Sequence, residues 1–128
     1  MTPGYKILIV EDEALVALCL RKELTSLGYW VSPSVATGEA AVQSVEQNPP
    51  DLILMDIRLA GKMNGIEAAG EIVSRRDIPI IFMSGYEDQD LAARLEGLNP
   101  AAHFIKPLDT DALDSAMKTI LRKRTKGV

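Results

Sequence analysis

The stretch that decides the fold is "DLILMDIRL", residues 51–59, in which four consecutive apolar residues are followed directly by Asp56. Apolar side chains in an unbroken run, with no alternating polar positions, favour a strand that is buried on both faces of a parallel sheet. An ionised carboxylate at the end of such a strand is costly to bury unless it has a partner. The stretch therefore predicts a buried parallel strand and a compensated charge at Asp56.

Similar apolar segments recur at nearly even intervals along the chain. We predict strands over residues 5–10, 30–35, 51–56, 78–84 and 102–105. The second segment contains Pro33, which has no backbone N–H to donate and therefore suits an edge strand.

Helical patterns separate the predicted strands. Leu15, Leu18, Leu24 and Leu27 are predicted to form the buried face of a helix over 14–27, which ends at Gly28. Further helices are predicted over 37–47, around 66–73, in a shorter segment with Leu91 and Leu95, and from Asp109 or Thr110 onward. Strict alternation of strands and helices predicts an α/β fold, a doubly wound parallel sheet with helices on both faces.

Length and composition restrict the class of protein to which the chain can belong. With 128 residues and 47% hydrophobic content, we expect a single domain over 1–128, with its core at about 6–121 and a basic C-terminal tail at 122–128. No secretory signal precedes the first strand, and no apolar run approaches the roughly 20 residues that span a bilayer. One cysteine and one histidine exclude a disulfide framework and a zinc site. These features predict a cytoplasmic protein that does not bind membranes.

The charge distribution argues against nucleic-acid binding as the main activity. The net charge is −4, which disfavours contact with a phosphate backbone unless an output domain is added. The basic segment "KTILRKRTKG" (118–127) is interpreted as a solvated last helical turn, because cations complement the dipole at a helix C-terminus.

Polar side chains follow four of the five predicted strands. They are Glu11, Asp12 and Glu13 after the first strand, Asp56 after the third, Ser84 after the fourth, and Lys106 with Pro107 after the fifth. In open α/β sheets, ligands bind beyond the carboxyl ends of the strands, so we expect these groups to converge on one rim. Glu13 is interpreted as a first-turn helix acid rather than as a ligand.

This set of groups suits phosphoryl chemistry. Carboxylates are hard ligands that fit Mg²⁺, Lys106 offers a compact positive charge for an anionic group, and Ser84 can donate a hydrogen bond to it. Asp56 is then a candidate nucleophile, because carboxylates form acyl-phosphates in covalent catalysis. We infer that Mg²⁺ and Lys106 keep Asp56 ionised so that it can accept a phosphoryl group.

Five segments, taken together in order and spacing, resemble the receiver domain of two-component response regulators. They are "ILIVEDE", "DLILMDIRL", "MNGIEA", "IPIIFMSGY" and "FIKPL", and the resemblance covers residues 6–121. It implies a flavodoxin-like (βα)5 fold with strand order 2-1-3-4-5. It also implies that Asp56 accepts a phosphoryl group from a sensor histidine kinase or a histidine phosphotransfer protein, and that the domain then acts on a downstream target protein.

The same resemblance assigns roles to the other residues of the rim. Asp12, Asp56 and the backbone carbonyl of Arg58 are implied to bind Mg²⁺, with Glu11 assisting through water. Ser84 and Lys106 are implied to contact the phosphoryl oxygens. The peptide bond between Lys106 and Pro107 is expected to be cis.

The sequence departs from the family pattern at two places. Ala60 stands where the family usually has proline, and the loop "LAGKMNG" (59–65) is one residue longer than is common. The aromatic residue that typically switches conformation lies three residues before the lysine, and His103 occupies that position. We expect the switch and partner face to involve His103, with Tyr86 or Phe104 as alternatives for the aromatic role.

Other functions remain open at this stage. One is a small Mg²⁺-dependent phosphohydrolase of the haloacid dehalogenase type, although that class requires Asp-x-Asp and this chain has Asp56-Ile57-Arg58. Another is a scaffold that is not phosphorylated. We expect a signalling domain rather than an enzyme, with Mg²⁺-dependent self-phosphorylation and slow self-dephosphorylation at most. A weak homodimer and a position within a longer regulator are both open.

Overall fold

A computed structural model describes residues 4–85 and 94–126 of the chain. Within these residues, one parallel sheet contains β1 (Lys6–Val10), β2 (Trp30–Val31), β3 (Leu52–Asp56), β4 (Ile80–Ser84) and β5 (Ala102–Ile105). The strand order is β2-β1-β3-β4-β5. The predicted flavodoxin-like fold and strand order are therefore confirmed.

Helices cover both faces of the sheet. In the described part of the chain they are α1 (Ala14–Ser26), α2 (Gly38–Gln47), α3 (Gly65–Val73) and α4 (Thr110–Lys126), with a short 3₁₀ turn at Glu96–Leu98. Leu91, which was expected to mark a further helix, lies outside the described residues, whereas Leu95 is buried.

The core consists of two apolar layers, one on each face of the sheet. Alternate residues of the central strands enter opposite layers, so that Leu8 and Met55 pack with α2 and α3. Ile9 and Leu54 pack instead with α1 and α4. This arrangement explains the unbroken apolar runs, because each strand must bury both of its faces.

Local sequence signals fix where the helices begin. The Thr37 hydroxyl accepts a hydrogen bond from the Ala40 N–H (3.0 Å) at the start of α2. Asn64 and Glu67 form a reciprocal capping box at the start of α3. The carboxylate of Asp109 accepts from the backbone N–H groups of Asp111 and Ala112 before α4. These caps hold the loops of the carboxyl edge in place.

The predicted buried face of α1 was wrong. Leu24 is buried, but Leu15 is 72% exposed and Leu18 is 47% exposed, and the helix instead packs Ala17 and Leu20 against the sheet. Ala17, Leu20 and Leu24 recur at intervals of three and four residues, so they form one stripe of the helix, and Leu15 and Leu18 lie outside that stripe. The apolar spacing alone did not distinguish these two faces.

Two predicted boundaries also differ from the structure. Strand β2 has two residues rather than six, and beyond it only Val35 pairs again, in an isolated bridge with Val10. Pro33 interrupts the pairing because it cannot donate to the ladder. The basic segment, which was interpreted as a last helical turn, is helical as far as Lys126, so α4 extends past the expected core boundary at 121.

No helix in the described ranges 4–85 and 94–126 is long and apolar enough to cross a membrane.

Candidate functional site

The carboxyl ends of β1 and β3 bring three acidic residues together. Val10 pairs with Met55 in the sheet, so the residues that follow them, Glu11 and Asp56, lie side by side. Glu11 is 2% exposed and Asp56 is 4% exposed, whereas Asp12 is exposed. One carboxylate oxygen from each of these three residues lies within 4.8 Å of the corresponding oxygens of the other two.

Lys106 compensates the two buried carboxylates. Its Nζ lies 2.7 Å from Oε1 of Glu11 and 2.8 Å from Oδ2 of Asp56. The backbone positions this lysine, because its N–H donates to the carbonyl of Ser84 at 2.8 Å. The peptide bond between Lys106 and Pro107 is cis, the isomer that the resemblance implied. Charge-assisted hydrogen bonds of this kind are the strong ones in proteins. Lys106 is therefore the counter-charge of Asp56, the carboxylate at the end of β3.

The cluster shifts the pKa values of its members. Burial, followed by the hydrogen bond and negative charge of Asp56, raises the pKa of Glu11 from 4.5 to about 7, although Lys106 opposes the change. Burial lowers the pKa of Lys106, but its contacts with Asp56 and Glu11 outweigh burial and raise that pKa overall. Lys106 therefore stays charged, while Glu11 exchanges its proton near neutral pH.

The backbone at the start of α3 packs closely against the backbone of Asp56 and Ile57. The N–H of Gly65 donates to the carbonyl of Ile57 at 2.8 Å, and the N–H of Arg58 donates to Oδ1 of Asp56 at 3.3 Å. A Cβ added at Gly65 would lie 2.0 Å from the backbone oxygen of Asp56. Only glycine allows α3 to begin so near the end of β3.

The lengthened loop after β3 is tied to α2. Oε1 of Glu39 accepts a hydrogen bond from the N–H of Met63 at 3.1 Å, and Ala60 forms a bridge with Thr37. Gly61 adopts a φ of 90°, which side-chain-bearing residues rarely adopt. The extra residue is thus accommodated on the side of the loop that faces α2.

Ser84 ends β4 next to the acidic cluster. It is 1% exposed and directly follows Met83, the sheet partner of Asp56. Its Oγ lies 2.6 Å from Nε2 of His103 in a hydrogen bond. This bond was not predicted from the sequence, because the pairing register of β4 and β5 decides which side chains meet across them.

The three residues proposed for the switch face have different positions. His103 is on the same face of the sheet as Ser84, at an exposed position. Phe104 packs on the opposite face, in the layer of α1 and α4. Successive side chains of a strand point to opposite faces, so Phe104 lies across the sheet from Ser84, and its role in the switch stays a prediction. Tyr86 lies outside the described residues.

The donor set fits a divalent cation with a preference for oxygen. Carboxylates of Glu11, Asp12 and Asp56 converge within 4.8 Å, and Mg²⁺ prefers such hard ligands together with water. The ammonium of Lys106 already lies between two of these carboxylates, which indicates that the cluster attracts positive charge. Glu13 contributes only its backbone N–H, which donates to Oε2 of Glu11 at 3.2 Å.

The fold and this site together define a class of protein. A parallel sheet of order 2-1-3-4-5, with an acidic cluster and a lysine at its carboxyl edge, is the arrangement of a flavodoxin-like receiver. The family model of the response regulator receiver domain matches residues 7–118. The chain therefore belongs to the receiver domain family of two-component response regulators.

Relatives and solved structures agree with this assignment. The transcriptional regulatory protein PdtaR of Mycobacterium tuberculosis is 34% identical over 113 residues, which are 88% of this chain and 55% of that protein. The luminescence regulatory protein LuxO of Vibrio campbellii is 37% identical over 119 residues, 92% of this chain and 26% of that protein. The chain thus spans about half or less of the length of these two relatives.

The signal receiver domain of a modulated diguanylate cyclase from Desulfovibrio desulfuricans G20 matches with a TM-score of 0.90 and 33% identity. That match covers 98% of this chain and all of the other. These matches lend no support to the haloacid dehalogenase alternative.

Proposed function

We propose that this receiver domain accepts a phosphoryl group on Asp56 from a phosphorylated histidine of a sensor kinase or a histidine phosphotransfer protein. One observation carries the proposal: the Lys106 Nζ lies within 2.8 Å of Asp56 and 2.7 Å of Glu11. A buried acid with a fixed counter-charge is ionised and oriented, which is what a carboxylate nucleophile requires.

The proposed transfer is a single displacement at phosphorus. A carboxylate oxygen of Asp56 forms a bond to phosphorus while the bond from phosphorus to the donor histidine nitrogen breaks. The electron pair stays on that nitrogen, and the imidazole takes up a proton from solvent at its other ring nitrogen, so it leaves neutral. The product is an acyl-phosphate. Lys106 and the Ser84 hydroxyl neutralise and bind its oxygens, and positioning and charge stabilisation account for most of the catalysis of such transfers.

Mg²⁺ is the proposed cofactor. Glu11, Asp12 and Asp56 would hold it, together with the backbone carbonyl of Arg58. A bound Mg²⁺ supplies charge neutralisation for phosphoryl oxygens during transfer. The converging carboxylates support this assignment, because a cluster of negative charge stabilises a divalent ion.

Acetyl phosphate provides the test of phosphorylation, because it needs no protein donor. With Mg²⁺ present, we expect intact-mass analysis to detect the addition of one phosphoryl group to the wild-type chain and none to Asp56→Asn. Rapid multiple turnover of phosphomonoesters would indicate the hydrolase instead. The absence of any mass gain on the wild-type chain would favour a scaffold and contradict the proposal.

An apolar groove beside the site is the proposed docking surface for the phosphohistidine donor. Leu15, Cys19, Pro107 and Leu108 line this groove, which has a volume of about 530 Å³ and adjoins Lys106. Leu15 and Leu18 are exposed on the same helix. Because the groove is continuous with the site, a helix seated in it would bring its histidine close to Asp56.

A pair of variants separates docking from chemistry. Leu15→Ser should slow transfer from a phosphorylated sensor kinase by about tenfold, on the order of the cost of one lost apolar contact, and leave phosphorylation by acetyl phosphate unchanged. The control Leu27→Ser removes a partly exposed leucine at the opposite end of α1, outside the groove, and should affect neither reaction. Equal slowing of both donors by Leu15→Ser would contradict the docking assignment.

The wider context of the domain is also proposed. We expect it to lie in the cytoplasm, to contact a downstream target through the β4 and β5 side of the sheet, and to form at most a weak homodimer. Residues 1–128 would form one receiver unit, whose effect is passed on through protein contact. The regulatory proteins that it resembles support such a role.

A further inference from the structure

The Ser84 hydroxyl has one proton, and the structure indicates where that proton is held. Ser84 is 1% exposed, and a buried hydroxyl that does not donate its proton is destabilising. Among the residues that the structure describes, the hydrogen bond recorded for its side chain is the 2.6 Å contact with Nε2 of His103. The proton of Ser84 therefore has an acceptor only if Nε2 of the imidazole is unprotonated.

We propose that His103 is a positioning residue that holds the Ser84 hydroxyl away from Asp56 until a phosphoryl group arrives. The inference rests on the proposed function, in which Ser84 donates its proton to a phosphoryl oxygen. A single O–H cannot donate to the imidazole and to the phosphoryl group at once. Phosphorylation of Asp56 therefore breaks the bond to His103 or reverses it, so that the imidazole donates and the serine oxygen accepts.

The geometry of the sheet allows this exchange with little movement. Ser84 pairs with Ile105 in the register of β4 and β5, and His103 pairs with Phe82, so the two side chains share one face of the sheet. Met83, the residue before Ser84, pairs with Asp56. Rotation about one side-chain bond would turn the serine oxygen from the imidazole toward the rim, and His103, on an exposed edge strand, is free to respond.

The chain offers an unambiguous probe, because His103 is its only histidine. In a protein made without a histidine tag, nitrogen-15 NMR of the imidazole reports the protonation of Nε2 directly. In the unphosphorylated chain we expect the tautomer in which Nδ1 carries the proton and Nε2 accepts a hydrogen bond. Ser84→Ala should remove this hydrogen-bond signature. A protonated Nε2 in the unphosphorylated wild-type chain would overturn the proposal.

Substitutions at position 103 test whether His103 and the phosphoryl group compete for the proton of the Ser84 hydroxyl. His103→Leu removes the acceptor, so the acyl-phosphate should form at about two- to tenfold lower acetyl phosphate concentration, the fold-change that one hydrogen bond produces. His103→Gln places an amide oxygen near the position of Nε2 and should restore the wild-type value. In a Ser84→Ala background, His103→Leu should have no further effect. If His103→Gln behaves like His103→Leu, or if the shift persists without the serine, the proposal fails.

The deciding experiment follows mass and imidazole signals together, in Mg²⁺ with an excess of acetyl phosphate. A phosphorylated chain whose Nε2 signal loses its acceptor character supports the inference. A phosphorylated chain with an unchanged imidazole spectrum overturns the inference and leaves the proposed function intact. A chain that gains no mass overturns the proposed function, and the role of His103 falls with it.

Discussion

At the scale of single residues, the site depends on how two buried carboxylates share one ammonium group. Lys106 contacts both Glu11 and Asp56, but one positive charge cannot fully balance two negative charges. Burial, together with the hydrogen bond and negative charge of Asp56, raises the pKa of Glu11 to about 7. The acidic cluster is therefore arranged to lose a proton or gain a cation near neutral pH, which suits a site that binds a metal ion and then a phosphoryl group.

The pH dependence of stability follows from Glu11. Its pKa is about 7 in the folded chain and about 4.5 when unperturbed, so between these values the folded state binds more protons than the unfolded state. Stability of the metal-free chain should therefore fall as pH rises from about 4.5 to 7 because of this group. Urea unfolding in chelator at pH 5 and pH 8 measures the effect, and Glu11→Gln should make this decrease smaller. An identical decrease in the variant would refute the assignment.

The residues of the rim and the pairing of Lys106 with Asp56 were predictable from the sequence, whereas the partner of Ser84 was not. Glu11, Asp12, Asp56, Ser84 and Lys106 each follow a strand end, and parallel strands end at a common edge. The hydrogen bond between Ser84 and His103 depends on the pairing register of two strands. Phe104 lies on the face opposite Ser84, because one step along β5 changes the face to which a side chain points.

At the scale of elements, the junction between β3 and α3 fixes the position of Asp56. Gly65 opens the helix against the backbone carbonyl of that residue, and its N–H donates to Ile57. The position of the acid is therefore set by backbone packing as well as by Lys106. The sequence contains the glycine, but only the structure identifies what it touches.

Gly65→Ala should displace the end of β3, because its Cβ would lie 2.0 Å from the carbonyl oxygen of Asp56. Overpacking of this kind costs about 1–3 kcal/mol, so urea unfolding should show that loss of stability, and acetyl phosphate should label the variant more slowly. Gly97→Ala is the matched control, since a Cβ there meets no atom within 4 Å. Equal behaviour of the two variants would show that the junction is not constrained.

Sequence signals predicted where some helices begin, but not which face of α1 is buried. The starts of α2 and α4 were predictable because Thr37 and Asp109 are recognisable caps. The buried face of α1 was not, because its apolar residues lie at most positions around the helix, and more than one stripe has a helical spacing. The structure buries the stripe of Ala17, Leu20 and Leu24.

At the scale of the whole molecule, the fold was the most predictable feature. Continuous apolar strands alternating with helices specify a parallel sheet covered on both faces, and the two core layers are the consequence. The strand order came from the resemblance rather than from periodicity, because several orders satisfy the same pattern. The short β2 is a local exception caused by Pro33.

Binding of Mg²⁺ should stabilise the whole domain. A ligand that binds only the folded state adds about 2.7 kcal/mol when its concentration is 100 times its Kd. Thermal unfolding of the wild-type chain should therefore shift upward in Mg²⁺ relative to chelator, and the shift should shrink in Asp12→Asn, which removes one carboxylate of the cluster. The same shift in both proteins would place the ion elsewhere.

We expect Asp56, and no other acid of the cluster, to receive the phosphoryl group. The rest of the proposed function depends on this assignment. Borohydride reduction of the chain after treatment with acetyl phosphate and Mg²⁺ converts an acyl-phosphate of aspartate to homoserine, which peptide mass spectrometry locates. We predict homoserine at position 56 and unmodified Glu11 and Asp12. Reduction at either of those residues, or none at position 56 in a chain that has gained phosphoryl mass, would contradict the account.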